Sequence, residues 1–251
     1  MAPFFKLKSD YFMKEENILT KEIAEQFIAN EEVIDDSFSQ VYVEGEFTQI
    51  EDTAAESLSR YKGQGLVLVL ETLSDVAAEC LSCFKGEELY LSLTKFSDKA
   101  AESLSNFKGE KLELFGNMEL SDRAAESLSR YKGQGLVLDD LETLSDASAE
   151  SFSNFKGGKL ELSGIRELSD KAAESFSKFK GGKLMLFPRG LSDAAAKSLS
   201  RFKDSWIEEF RDANPIGKVR IGDFLIENGF LSNPEIQNLK LSKIAQRFKQ
   251  R

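Results

Sequence analysis

Hydrophobic and polar positions repeat along this chain with a period of 23 or 24 residues. A phrase of the type SDxAAESxSxFKG recurs seven times. Its aspartate falls at Asp52, Asp75, Asp98, Asp122, Asp146, Asp170 and Asp193. A fixed period in this range is typical of a solenoid, in which one small unit is stacked along an axis. The pattern therefore predicts the architecture before any residue is assigned a role.

The unit that begins at Lys111 shows how the period predicts secondary structure. Leu112 and Leu114 alternate with variable residues, the period-two pattern of a strand with one buried face. Gly116 then indicates a turn with positive φ. Ser121 is placed to cap a helix, and the aspartate of the phrase follows in the first turn, near the positive end of the helix dipole.

The second half of the unit predicts a helix and its end. Ala124, Ala125, Leu128 and Tyr131 fall on one helical face, and Gly133 is expected to end the helix in a left-handed conformation. Aromatic residues at the equivalent place predict a buried column: Phe84, Phe107, Tyr131, Phe155, Phe179 and Phe202. Repetition of a strand and a crossover helix places parallel strands on one face and helices on the other.

We therefore predict a right-handed β/α solenoid with about seven parallel strands, built by residues 41–203. Residues 1–40 are expected to form a helical N-terminal cap, with a helix beginning after Thr20, because terminal repeats would otherwise expose their core. Residues 204–251 are predicted to form a helical extension, which is either a C-terminal cap or a docking module. Ala54–Leu68 and Ala124–Leu138 are identical over fifteen residues, which indicates that three units were duplicated together.

The period and the recurring L-x-L strand together resemble leucine-rich repeat proteins, in particular the alanine-rich variant of large bacterial, planctomycete-type repeat proteins. The resemblance covers roughly residues 41–203 and implies a protein-interaction scaffold. It also implies an asparagine or cysteine after each strand that bonds the neighbouring backbone. Only Asn117 occupies that place; Leu141 and Ile165 stand there in other units.

The net charge differs between the first 200 residues and the rest of the chain. Residues 1–200 carry 23 Lys and Arg against 36 Asp and Glu, whereas residues 201–251 carry 10 against 7. An acidic solenoid disfavours nucleic acid, whose binding requires neutralisation of phosphates. No stretch is apolar enough for a membrane span, and the N-terminus lacks the features of a signal peptide. We therefore expect a cytoplasmic protein.

The residue types argue against catalysis. The chain contains no histidine, so His-based triads and His-ligated metals are excluded. Cys80 and Cys83 form a C-x-x-C inside a predicted repeat helix, whereas a redox motif would sit at a helix N-terminus. The column of glutamates that includes Glu102 is expected on a solvated face. We predict no enzyme activity, no metal and no cofactor.

Variable positions between and after the strand leucines mark the expected binding surface. These side chains should face the concave side, which repeat proteins use for binding. The candidate partner-binding residues are Tyr42, Val67, Val69, Tyr90, Phe115, Asp139, Met185 and Phe187. The same columns also contain Glu113, Val137 and Glu161. An apolar cluster there indicates either an interaction site or a surface that a cap or the chain's own tail covers.

The C-terminal extension supports a second hypothesis. It is similar to a small helical module of secretion and pilus ATPases that sometimes binds cyclic-di-GMP. The matching residues are Arg220, Ile221, Gly222, Leu225, Gly229 and Leu231, which form one motif where that ligand site needs two. Phe230 and Phe248 are the candidate docking residues. The sequence thus favours a protein-binding scaffold or assembly subunit; the alternative is a signalling module whose C-terminal helices bind a cyclic dinucleotide or an ATPase.

Overall fold

The structure, a computed structural model, describes residues 18–31, 40–43, 45, 47–188 and 190–199. Its elements alternate between strands and helices. In chain order they are β1 (Ile18–Leu19), α1 (Lys21–Glu31), β2 (Gln40–Val43), β3 (Gln49–Ile50), α2 (Asp52–Ser59), β4 (Gly65–Val69), β5 (Thr72–Leu73), α3 (Asp75–Ser82), β6 (Glu88–Ser92), β7 (Lys95–Phe96), α4 (Asp98–Leu104), β8 (Lys111–Phe115), α5 (Asp122–Leu128), β9 (Gly135–Leu138), α6 (Asp146–Ser153), β10 (Lys159–Ser163), β11 (Glu167–Leu168), α7 (Asp170–Phe176), β12 (Lys183–Phe187), β13 (Gly190–Leu191) and α8 (Asp193–Leu199).

Seven parallel strands form the main sheet, in the order β12-β10-β9-β8-β6-β4-β2. Each strand pairs with the same positions of the next unit, so that Leu66 lies opposite Leu89 and Leu89 opposite Leu112. Helices alternate with these strands along the chain, and each helix packs on the next one. The predicted β/α solenoid is confirmed, because each unit stacks on the preceding one in the same register.

The core lies between the sheet and the helices. The strand leucines and the paired alanines of the helices are buried, as predicted; Leu112, Leu114 and Ala125 are fully buried. Most N-cap serines are confirmed as well: Ser121 Oγ accepts a hydrogen bond from the Ala124 amide at 3.0 Å. The alternation of strand leucines and the helical spacing of the alanines are sufficient to place this core.

Hydrogen bonds between units add a ladder that the sequence reading did not predict. Each N-cap serine also donates its hydroxyl to the aspartate that opens the preceding helix, as Ser74 does to Asp52 at 2.6 Å. The same pairing recurs in Ser97–Asp75, Ser121–Asp98, Ser145–Asp122, Ser169–Asp146 and Ser192–Asp170. One serine thus caps its own helix and fastens it to the previous unit.

The aromatic column is confirmed, but its residues lie just beyond the helices. Tyr61, Phe84, Phe107 and Tyr131 stack with centroids 6.3 Å apart, and Phe155 stacks on Phe179 at 6.4 Å. Phe202 lies outside the described residues. The prediction that Gly133 ends a helix with positive φ is wrong, since the positive-φ glycines that the structure describes are Gly116 and Gly164. Glycine is required at 133 because a Cβ there would lie 2.7 Å from the Gly109 carbonyl oxygen.

The corner after each strand differs from the expected asparagine ladder. Asn117 is exposed, whereas Leu93, Leu141 and Ile165 are fully buried at this corner. Backbone amides bridge the units instead: Leu93 donates to the Phe115 carbonyl at 2.8 Å, and Leu141 donates to that of Ser163 at 3.0 Å. Apolar side chains therefore fill the space beneath the turn.

The 24-residue units accommodate their extra residue at this same corner. Gly116, Asp140 and Gly164 follow β8, β9 and β10, and all three have positive φ. The 23-residue units lack this residue, and Leu70, Leu93 or Pro188 follows the strand directly. A left-handed residue turns the chain within one position, so the insertion leaves the register of the sheet unchanged.

The described part of the N-terminal region continues the stack. β1 pairs in parallel with β3, placing Leu19 opposite Ile50, and α1 packs on α2. The expected helix after Thr20 is confirmed, with Ile23, Phe27 and Ile28 against the core. Residues 18–31 therefore supply the short strand and the helix of a further unit.

Candidate protein-binding face

Three rows of side chains lie on the face of the sheet opposite the buried leucines, here termed the concave face. Strand alternation directs the residues before, between and after the leucines to this face. The middle row consists of Tyr42, Val67, Tyr90, Glu113, Val137, Glu161 and Met185. One outer row contains Gln40, Gly65, Glu88, Lys111, Gly135, Lys159 and Lys183, and the other contains Val69, Ser92, Phe115, Asp139 and Ser163. The parallel register thus converts the columns of the sequence into rows across the sheet.

Five predicted site residues come together on four neighbouring strands, β2, β4, β6 and β8. They form the apolar patch: Tyr42, Val67, Val69, Tyr90 and Phe115. Tyr42 is 51% exposed and Val69 is 41% exposed, while the other three are half-buried. Together with Val76 on α3, these two are the large hydrophobic residues that the described region exposes. The apolar patch is therefore a localised departure from an otherwise polar surface.

Hydrogen bonds hold the tyrosine at the centre of the patch. The Tyr90 hydroxyl donates to Glu88 Oε2 at 2.7 Å, and Gln40 Nε2 donates to the same oxygen at 2.9 Å. Lys111 Nζ lies 4.7 Å from the centroid of the Tyr90 ring, within cation–π range. Burial, followed by the hydrogen bond to Glu88, raises the pKa of Tyr90. Tyr90 is thus a neutral, oriented ring at physiological pH.

Charged residues continue the rows beyond the patch. Lys111 pairs with Glu113 at 2.7 Å, and Lys159 pairs with Glu161 at 2.8 Å. Asp139 lies near both glutamates and accepts hydrogen bonds from the Ser163 hydroxyl and the Asp140 amide. Burial raises the pKa of Asp139, the hydrogen bond from the Asp140 amide lowers it, and the carboxylates of Asp140, Glu113 and Glu161 add to the increase. Lys111 and Lys159 balance the two glutamates, whereas the described hydrogen-bond donors to Asp139 are both uncharged.

The structure separates the remaining predicted residues. Met185 is half-buried on β12, which β9 and β10 separate from the patch; Phe187 ends the same strand, and its side chain lies outside what is described. Val137 was expected to be displayed on this face but is only 6% exposed. Its register neighbours Glu113 and Glu161 are each anchored by a lysine and flank it on both sides.

The candidate docking residues of the C-terminal extension, Phe230 and Phe248, lie outside the described residues. So do the six residues of the motif similar to the ATPase module: Arg220, Ile221, Gly222, Leu225, Gly229 and Leu231. The hypothesis that this extension binds a ligand or an ATPase stays a prediction.

The sequence reading missed the row that precedes the first leucine of each strand. Gln40, Glu88 and Lys111 contribute the polar groups that position Tyr90. Strand alternation was a sufficient signal, because residues two apart share a face and this row precedes the middle row by two positions. The specific hydrogen bonds require the register between strands.

The two cysteines lie on α3 and at its C-cap, with both thiols free. Burial and the carboxylates of Glu56 and Asp52 raise the pKa of Cys80, which disfavours a reactive thiolate. Within the described residues, no group of three or more Cys, Asp or Glu side chains could hold a metal ion. Likewise, the helices that the structure describes are all too short or too polar to cross a bilayer.

Comparison with known proteins does not assign this face a role: no family model matches the chain, and a search of curated proteins finds no significant relative.

Proposed function

We propose that this protein is a non-catalytic, cytoplasmic scaffold or assembly subunit of the leucine-rich repeat type, which binds a protein partner on its concave face. The observation that carries the proposal is the apolar patch, where Tyr42 and Val69 are 51% and 41% exposed beside the half-buried Tyr90 and Phe115. Contiguous exposed apolar surface is energetically unfavourable in water and is relieved when a partner covers it.

The arrangement of the patch suits a protein contact. Aromatic residues are enriched among the side chains that dominate binding energy. Tyr90 is already oriented by Glu88 and Lys111, so binding would immobilise few additional rotamers. The surrounding charged pairs, such as Lys111–Glu113, would form a polar rim of the kind that surrounds the apolar centre of an interface.

Capture of a partner by immobilised full-length protein from native lysate tests the proposal. We expect Tyr90→Ala and Phe115→Ala each to weaken capture, since truncation of an aromatic anchor typically costs about 2 kcal/mol or more of binding free energy. Both positions are half-buried on the surface, and the melting temperature should change little. The matched control is Glu102→Ala on the exposed side of α4, which should leave capture unchanged.

Capture that is insensitive to Tyr90 and Phe115 but lost in Phe230→Ala or Phe248→Ala would contradict the proposal. The partner would then bind the C-terminal extension. Titration of the full chain with cyclic-di-GMP by calorimetry distinguishes the alternative, because the concave-face proposal expects no heat of binding from that nucleotide.

A further inference from the structure

The last sixteen residues differ in charge from the rest of the chain. Residues 236–251 contain five Lys or Arg and no Asp or Glu, although the whole chain has a net charge of −10. Leu241, Ile244 and Phe248 are spaced i, i+3 and i+7, which is typical of an amphipathic helix with one apolar face. Most of the basic residues flank that face. The segment is therefore suited to an apolar surface with carboxylates beside it.

The concave face offers this combination. The apolar patch extends over β2, β4, β6 and β8, and Glu113, Asp139 and Glu161 follow on β8, β9 and β10. The two hydrogen-bond donors to Asp139, the Ser163 hydroxyl and the Asp140 amide, are both uncharged. A cation placed there would stabilise the ionised form of Asp139, which burial and the neighbouring carboxylates disfavour. By contrast, among the described residues the exposed helix faces carry many glutamates but only Val76 as a large exposed hydrophobic residue.

The length of this segment is compatible with the width of the apolar patch. Four strands at about 4.8 Å spacing make the patch roughly 14 Å wide. Residues 241–248 would cover roughly 10 Å as a helix. The chain between Leu199, the last described residue, and residue 236 could span roughly 100 Å when extended, whereas the seven strands together are roughly 30 Å wide. The segment can therefore reach the concave face of its own molecule.

We propose that residues 236–251 dock on the concave face of the same molecule. Leu241, Ile244 and Phe248 cover the apolar patch, and the basic residues approach Glu113, Asp139 and Glu161. The segment would compete with a protein partner for this face. Only that competition rests on the proposed function; the docking itself does not require that a partner exist.

Zero-length carbodiimide cross-linking of the full chain tests the docking, because this reagent joins amines to carboxylates in direct contact. Peptide mass spectrometry should find Lys240, Lys243 or Lys249 joined to Glu113, Asp139 or Glu161, within the monomer band of a gel. The double variant Ile244→Ser/Phe248→Ser should reduce these cross-links at least fivefold, and so should Tyr90→Ala. The control Glu102→Gln should leave them unchanged.

Three outcomes would overturn the proposal. The C-terminal lysines could show no cross-links to the concave face, or equal cross-links to Glu102, Glu126 and the other exposed helix glutamates. Cross-links confined to a dimer band, and lost on dilution, would identify a second copy as the occupant. If the docking fails while partner capture still depends on Tyr90, the proposed function stands without this competitor. If the cross-links form but no capture depends on Tyr90, the face serves only the chain's own segment.

Discussion

Two segments of this protein have the same sequence but different neighbours. Residues 54–68 and 124–138 are identical. Both form the end of a helix, a turn that carries a stacked tyrosine, and a strand. Their interiors agree: Leu58 and Leu128 are fully buried, as are the leucines of β4 and β9. Their surfaces do not, since Val67 is half-buried whereas Val137 is only 6% exposed.

The neighbouring units explain the difference. Val67 lies between Tyr42 and Tyr90, whereas Val137 lies between Glu113 and Glu161. The first position after the identical window also differs, with Val69 in one copy and Asp139 in the other. A local sequence therefore decides which side chains point inward, and the adjacent units decide what the outward side chains meet.

The largest expected effect is at Gly133, in the turn that carries the stacked Tyr131 of the second copy. A Cβ at Gly133 would meet the Tyr131 ring and, at 2.7 Å, the Gly109 carbonyl oxygen. A Cβ at Gly135, two residues further on, would meet only the Lys111 side chain, at 3.6 Å. We expect Gly133→Ala to reduce the free energy of unfolding by about 1–3 kcal/mol and Gly135→Ala by less. Urea titration measures both; equal losses would contradict a role for the carbonyl of the preceding unit.

The helix N-termini differ next. Ser121 caps α5 and also donates to Asp98, whereas Glu51 at the N-cap of α2 forms no side-chain cap. We expect Ser121→Ala to cost about 1 kcal/mol of stability and Glu51→Ala to change it by less than about 0.5 kcal/mol. Thermal unfolding followed by circular dichroism should rank the two. If Glu51→Ala is the more damaging change, its contact with the Lys21 amide contributes more than a serine cap.

The paired valines give a contrast of similar size. Val137→Ala removes two buried methyl groups and is expected to cost about 1–2 kcal/mol. Val67→Ala, at the partly exposed equivalent position, should cost about half as much. Chemical denaturation of the two variants sharpens the comparison directly, because the sequence for thirteen residues before each valine is the same. Equal costs would mean that the two glutamates do not shield Val137.

The smallest expected effect is a dependence on pH. Burial raises the pKa of Asp139, so its ionised form disfavours the folded state, and this penalty is lost as pH falls through the folded pKa. In a background of Ile244→Ser/Phe248→Ser, where no basic segment should approach this carboxylate, Asp139→Asn should therefore be more stable than its parent near pH 7, with a difference that vanishes in acid.

Asp122→Asn is the control of opposite sign. Hydrogen bonds from the Ser145 and Ser148 hydroxyls lower the pKa of Asp122, so its stabilisation is present above the usual carboxyl range and is lost in acid. Its asparagine variant should be less stable near pH 7 and approach the parent protein as pH falls. Two variants that respond to pH in the same direction would contradict the assignment of Asp139.

Periodicity was sufficient to predict the β/α solenoid, its seven strands, its N-cap serines and its leucine and alanine core. Each of these depends on spacing within one unit of 23 or 24 residues. The failures involve contacts between units. Gly133 was predicted to end a helix with positive φ, but it lies against the backbone of the preceding unit. Asn117 occupies the place of an asparagine that would bond the neighbouring backbone, but it is exposed.

The candidate site was predicted in part for the same reason. Strand alternation placed Tyr42, Val67, Val69, Tyr90 and Phe115 on one face, and the parallel register brought them together. The hydrogen bonds to Glu88 and the position of Lys111 over the Tyr90 ring follow from the pairing of β2, β6 and β8.

The sequence by itself thus determined the repeating unit, because hydrophobic burial within a strand and a helix depends on the spacing of neighbours along the chain. Only the tertiary structure decided which outward residues are exposed, hydrogen-bonded or shielded. Those properties depend on side chains 23 or 24 residues away, which the register brings within about 5 Å. The pair Val67 and Val137 shows both levels at once: they share the same local sequence and strand position, and they differ in exposure because different units stand beside them.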